Sequence, residues 1–284
     1  MIDWKAHYAA ELEGPAAWLA IAGRLRRARP DADLVRELEA GAILSFPHTF
    51  LRAAAPLQMP VLVALRAAGI RRVVALGVIH GAFLNPSYRE RFAAAAGEPP
   101  EHAETAYAEL CGGWLPCVAE HPTPHGEIAL WQPQEIVAEG IRRAPAGLLD
   151  DEYSLDTFLT LARLQADAHD EPPLEICPVY VGPTRHPLTG SFSVAAAMAE
   201  AVRTVLGSET AVVATGDLVH YGWEVYEQHD RSLDGLSPDG IEEHFRGLTA
   251  ETLATALREG GLQEAFARSV RDLANDQRYI LPVI

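Results

Sequence analysis

Apolar runs of strand length recur along this chain, separated by stretches whose apolar positions repeat at helical spacing. A continuous apolar run bounded by turn residues fits a strand buried on both faces. Residues 42–46, 73–79 and 211–216 have that form, and 174–181 joins them with Pro178 inside the run. Residues 127–131 and 279–284 are shorter runs of the same kind. Helical spacing marks 3–28, 56–68, 154–168, 193–206, 239–248 and 250–271. Gly14-Pro15 breaks the first of these, and Pro15 suits the first turn of a new helix. Arg24, Arg26, Arg27 and Arg29 crowd its end, where the helix dipole favours cations. Asp31 then stands ready to cap a short helix.

Strands alternating with helices predict an α/β fold, a mostly parallel central sheet flanked by helices on both faces. No internal repeat or long linker divides residues 1–284, so a single domain is expected. Residues 84–125 break the alternation. They contain Pro99-Pro100 and Gly112-Gly113, with a helix predicted over 101–110, and otherwise read as irregular. Such a stretch predicts an insertion over a sheet edge, of lid type.

Composition narrows the function classes. The formal charge is −16, and such an excess of carboxylates opposes non-specific binding to nucleic acid or anionic lipid. Three cysteines, Cys111, Cys117 and Cys177, give no disulfide framework and no CxxC pair, so small buried thiols in a reducing compartment are expected. No signal-type apolar segment opens the chain, and no window is apolar enough to span a membrane. A cytoplasmic protein is expected.

The chemistry gathers at strand ends. In open α/β sheets ligands bind beyond the carboxyl ends of the strands. His48 follows the run 42–46, His80 follows 73–79, and His220 lies four residues beyond 211–216 with Asp217 between. Neutral imidazole is a common transition-metal ligand and an acid/base near neutral pH. The other histidines have no such placement. His121 and His125 fall in a proline-rich stretch and read as exposed loop residues, while His7, His102, His169, His186, His229 and His244 read as surface. There is no HExxH, GxSxG, Walker A or post-strand GxGxxG sequence, so the common zinc-protease, serine-hydrolase and dinucleotide motifs are absent.

The segments Ser45-Phe-Pro-His-Thr-Phe50, Val74-Ala-Leu-Gly-Val-Ile-His80 and Thr215-Gly-Asp-Leu-Val-His-Tyr-Gly222 resemble the Memo family, also known as AmmeMemoRadiSam system protein B. That family shares its fold with the catalytic subunit of class III extradiol dioxygenases, the LigB-like group. The order and spacing of the segments fit over most of the chain. Departures accompany the likeness. The family's Pro-His-Ala-Gly-Tyr is here Pro47-His48-Thr49-Phe50, and its Gly-Pro-x-His is Gly77-Val78-Ile79-His80. Its Glu-His-Ser corresponds to Glu152-Tyr153-Ser154, with Tyr153 in place of the histidine. Its Cys-Gly-Arg near the C-terminus corresponds to Asp276-Gln277-Arg278, which puts Asp276 in the position of the metal-adjacent cysteine.

The resemblance implies that His48, His80 and Asp276 hold a metal, and that His220 faces it as acid/base or further ligand. Asp217 is implied to support the site by hydrogen bonding, and Tyr221 to line the pocket. Two imidazoles and a carboxylate leave open positions on Fe(II) for substrate and O₂. The implied function is a non-haem Fe(II) redox enzyme acting on a small molecule such as an aromatic diol. Copper or zinc are the other implied metals. A Memo-type iron- or copper-binding protein acting through partners with little turnover is an alternative, and a zinc hydrolase is a further one. A homodimer is compatible with the family habit of pairing.

Overall fold

The apolar runs form strands, and the longest of them form the middle of a sheet. The computed structural model describes residues 10–11, 15–48, 51–80, 86–95, 100–150, 152–217, 233–273 and 277–284. Its strands are Leu44–Phe46 (β1), Arg72–Val78 (β2), Gly113–Leu115 (β3), Glu120–Thr123 (β4), Gly126–Ala129 (β5), Ile141–Arg143 (β6), Glu175–Val181 (β7) and Thr210–Thr215 (β8). Six of these form one sheet in the order β1-β8-β2-β7-β3-β6, while β4 and β5 pair as a separate hairpin. Every neighbouring pair in the large sheet is parallel except β3 with β7. The sheet is therefore mixed, with parallel pairing throughout the half that carries β1, β8, β2 and β7.

The helices are Pro15–Arg27 (α1), Ala32–Glu39 (α2), Leu51–Ala67 (α3), Pro86–Ala95 (α4), Pro100–Leu110 (α5), Asp156–His169 (α6), Ser193–Arg203 (α7), Pro238–Ala256 (α8), Leu262–Arg268 (α9) and the single turn Gln277–Ile280 (α10). Four of them start on a proline, where the missing N–H would have had no helical partner. Asp31 caps α2 as expected, accepting from the N–H groups of Asp33 and Leu34. Helices α1, α3 and α6 pack on one another, and α10 rests on β2. Consecutive residues of β2, β7 and β8 are buried, which places both faces of the central strands under helices or loops. Among the described residues no helix is long and apolar enough to cross a membrane.

Pro178 lies inside β7, a strand with neighbours on both sides. Ile176 turns its carbonyl away from β2 to accept from Trp131, and Gly182 turns its N–H the same way toward Gly112. Pro178 shares this orientation, since N–H direction alternates along a strand. Its nitrogen faces the gap between the Trp131 contact and the first β3 pair at Tyr180, where no ladder donor is required.

Several expectations change. The described residues within 84–125 are largely regular: they supply α4, α5, β3 and β4, and β3 is an interior member of the sheet. The strand expected over 127–131 is divided: residues 126–129 pair with β4, and Leu130 makes a single parallel bridge to Ile176 of β7. The helix expected from residue 56 begins at Leu51, with Pro56 and Pro60 inside it. The two helices expected over 239–271 divide at residue 256. Residues 279–284 do not form a strand, because the chain turns helically at Ile280 and both Val283 and Ile284 donate to its carbonyl. Pro282 also lacks the N–H that a ladder would use. Among the cysteines only Cys177 is buried; Cys111 is half-buried and Cys117 exposed.

Candidate metal centre

The parallel half of the sheet sends its carboxyl ends to one edge, and polar residues stand at equivalent places there. His48 is two residues past β1, His80 two past β2 and Asp217 two past β8. Because β8 runs between β1 and β2, these ends adjoin. His48 is 1 % exposed, whereas His80 reaches the surface with 12 % of its side chain.

The two imidazoles converge. Nε2 of His48 and Nε2 of His80 are 3.0 Å apart, with the ring planes at 83°. The remaining nitrogen of each ring sits on an oxygen. His80 Nδ1 is 3.0 Å from Glu152 Oε1, and His48 Nδ1 is 3.3 Å from Thr215 Oγ1. Thr215 gives its own proton to the Phe46 carbonyl at 3.1 Å, so toward His48 its oxygen is the acceptor. Glu152 as a carboxylate can only accept. His80 therefore carries its proton on Nδ1 and turns its Nε2 lone pair toward His48, and a proton on His48 Nδ1, donated to Thr215, would leave the His48 Nε2 lone pair facing it.

Glu152 holds this arrangement. It is buried and accepts from His80 Nδ1–H, from the His80 backbone N–H at 2.9 Å, and from the N–H groups of Tyr153 and Ser154 at 2.8 and 2.7 Å. Burial alone would raise its pKa, but His80 and these backbone donors outweigh it and hold the carboxyl below its usual value. Next to it Tyr153 stacks on the His80 ring, centroids 4.5 Å apart and planes within 14°. Ser154 ties this segment to β2, donating to the Val78 carbonyl at 2.9 Å and accepting from its N–H at 3.1 Å. The imidazole of His80 is thus held by hydrogen bonds at one edge and by an aromatic face.

Asp217 is buried, and its carboxylate accepts from the His48 backbone N–H at 3.2 Å. It anchors the turn that carries His48. Gln58, on α3, donates to the Pro47 carbonyl at 2.8 Å and secures the same turn from the other side.

The structure brings His48, His80 and Asp217 together at one edge. His220, Tyr221 and Asp276 lie outside the described residues. Among the described residues no group of three metal-type side chains converges. Sequence reasoning gave no role to Glu152 or Thr215. Glu152 is 72 residues from His80, so no local spacing links them. Two other histidines depart from expectation. His121 Nε2 lies 3.3 Å from Asp156 Oδ1 on α6. His125 packs edge-on against Trp18 at 4.2 Å, and burial lowers its pKa. Neither is a plain exposed loop residue, because the β4–β5 hairpin lies against α6.

Arg278 lies in α10, its guanidinium 4.8 Å from the Tyr279 ring centre. Comparison of the chain with protein-family models and with curated proteins finds no match.

The donor set fits a transition-metal ion. Imidazole nitrogens bind such ions at about 2.1 Å, which sets two of them roughly 3.0–3.4 Å apart for angles between a right angle and a tetrahedral one. The observed 3.0 Å falls in that range. Two neutral lone pairs at this distance repel unless a cation or a proton lies between them. The carboxylate behind His80 is the usual support for a ligating histidine.

Proposed function

We propose that the chain is a metal-dependent redox enzyme of the Memo type, with the class III extradiol dioxygenase-like fold, and that His48 and His80 bind its metal through Nε2. The observation that carries this reading is the convergence of two imidazole Nε2 atoms, 3.0 Å apart, at the carboxyl edge of a largely parallel sheet. The carboxylate of Glu152 behind His80 supports it.

Fe(II) bound by two histidines and a carboxylate supplies open positions at which a diol-type substrate and O₂ can bind together. In this reading Asp276 is the carboxylate ligand and His220 the acid/base that takes a substrate proton. Glu152 and Thr215 keep the Nδ1 protons in place, so that both Nε2 atoms face the metal. Tyr153 and Asp217 restrain the ring of His80 and the backbone of His48. The 1 % exposure of His48 keeps bulk water from its side of the pair.

The test is an anaerobic titration of metal-stripped protein with Fe(II), copper and zinc, followed by O₂ uptake with a panel of catechols. One equivalent of iron is expected, lost in both His48→Ala and His80→Ala. Unchanged metal content in both variants would remove the site assignment. Iron binding without O₂ uptake or ring-cleavage products would remove the dioxygenase-type chemistry for those substrates and leave the metal-binding protein.

A further inference from the structure

A cavity of about 190 Å³ opens beyond the end of β7, walled by Pro183, Arg185, Phe266, Val270, Arg278 and Tyr279. It begins at the edge that carries His80, because β7 pairs with β2 as far as Val181 with Val78. Two guanidiniums stand in a wall that is otherwise largely apolar. Arg185 lies over the Phe266 ring at 5.4 Å, with its Nε donating to Gln263 at 3.1 Å. Arg278 lies over the Tyr279 ring, and its Nε is buried with no hydrogen-bond partner among the described residues. Among the described residues no carboxylate forms an ion pair with either.

A partly buried guanidinium with an unmet donor favours an anion. The planar fork of arginine matches a carboxylate, and two forks on one cavity strengthen that preference. The apolar walls call for an apolar body on the same ligand. Size bounds that body, since a dry cavity of about 150 Å³ holds a benzene ring. We propose that this cavity binds a small monocyclic aromatic carboxylate, with its anionic end on Arg185 and Arg278 and its ring against Phe266, Val270 and Tyr279. The hydroxyl of Thr184 contacts the carbonyls of Arg278 and Tyr279 at 3.4 Å, which ties the strand-end segment to α10 and keeps the two walls in register. This inference stands apart from the metal reading, because the cavity contains neither histidine.

Calorimetric titration of metal-stripped protein with benzoate, benzyl alcohol and inorganic phosphate tests it. Benzoate is expected to bind at least 10-fold more tightly than benzyl alcohol, and to lose at least 10-fold in Arg185→Gln and in Arg278→Gln. His48→Ala and His80→Ala are expected to keep benzoate binding, so failure of the metal site and failure of this site give different results. Equal binding of benzoate and benzyl alcohol, or unchanged binding in both arginine variants, overturns the proposal. Phosphate binding that matches benzoate and competes with it overturns the aromatic part. If an arginine variant does not fold, as judged by circular dichroism, the ratio of benzoate to benzyl alcohol on the wild-type protein decides.

Discussion

Gly77 stands where any side chain would collide with Ser154: a Cβ there would lie 2.7 Å from the Ser154 hydroxyl oxygen and 2.9 Å from Leu155 Cγ. This close approach lets the segment carrying Glu152 dock on the end of β2 and reach His80. Gly77→Ala is therefore expected to destabilise the protein by about 1–3 kcal/mol, the usual cost of overpacking. It is also expected to weaken metal binding by moving Glu152. Chemical denaturation and a metal titration on the same variant check both. A variant with unchanged stability and affinity would show that the contact is dispensable.

Glu152→Gln keeps the shape and removes the charge. Three donors meet Oε1, and the backbone N–H and Nδ1 of His80 both lie within reach of Oε2, so an amide must present N–H to at least one of them. Charged hydrogen bonds of this kind contribute about 1.5–3 kcal/mol each, and a loss of roughly that size is expected. Partners of ligating histidines typically change metal affinity about 10- to 100-fold. Equilibrium competition with a chromophoric chelator measures that factor, and retained affinity would count against Glu152 as the orienting group.

Thr215→Val tests the other histidine. The hydroxyl accepts from His48 Nδ1 and donates to the Phe46 carbonyl, and valine does neither. Leaving buried polar groups unmet costs about 1–3 kcal/mol. The His48 tautomer should also lose its preference, which NMR of the ring nitrogens would show as a mixture of Nδ1–H and Nε2–H forms. A single unchanged tautomer would contradict the role given to Thr215.

The thiols should separate by accessibility. Cys117 is exposed and Cys177 fully buried, so iodoacetamide under native conditions is expected to label Cys117 first and Cys177 only after unfolding. Burial pushes the Cys177 thiol up to about 12. A raised value means that the fold favours the neutral form. The associated stability is complete below the unfolded value of about 8.5 and is lost as pH rises toward the folded one. Between these limits the wild type should lose about 1.4 kcal/mol more per pH unit than Cys177→Ala. Denaturation series from pH 8 to 11 measure the difference, and parallel curves would remove Cys177 from the alkaline transition.

Much of the sheet was legible along the chain. The runs leading to β2, β7 and β8 are long, apolar and bounded, so their burial pattern is written locally. Strands β3 and β6 have three residues each, too few to show a period, and only pairing with distant partners makes them strands. The terminal apolar run reads as a strand along the chain, and packing of α10 on β2 accompanies a helical turn instead.

By itself the sequence determined that His48, His80 and Asp217 each follow a strand, because strand ends are local events marked by where an apolar run stops. Which of these ends adjoin was decided by the strand order β1-β8-β2, a product of long-range pairing. Tertiary structure alone brought Glu152 to His80 across 72 residues and put Thr215 beside His48. Side-chain direction and burial settle which nitrogen carries the proton, and neither is a property of residue spacing.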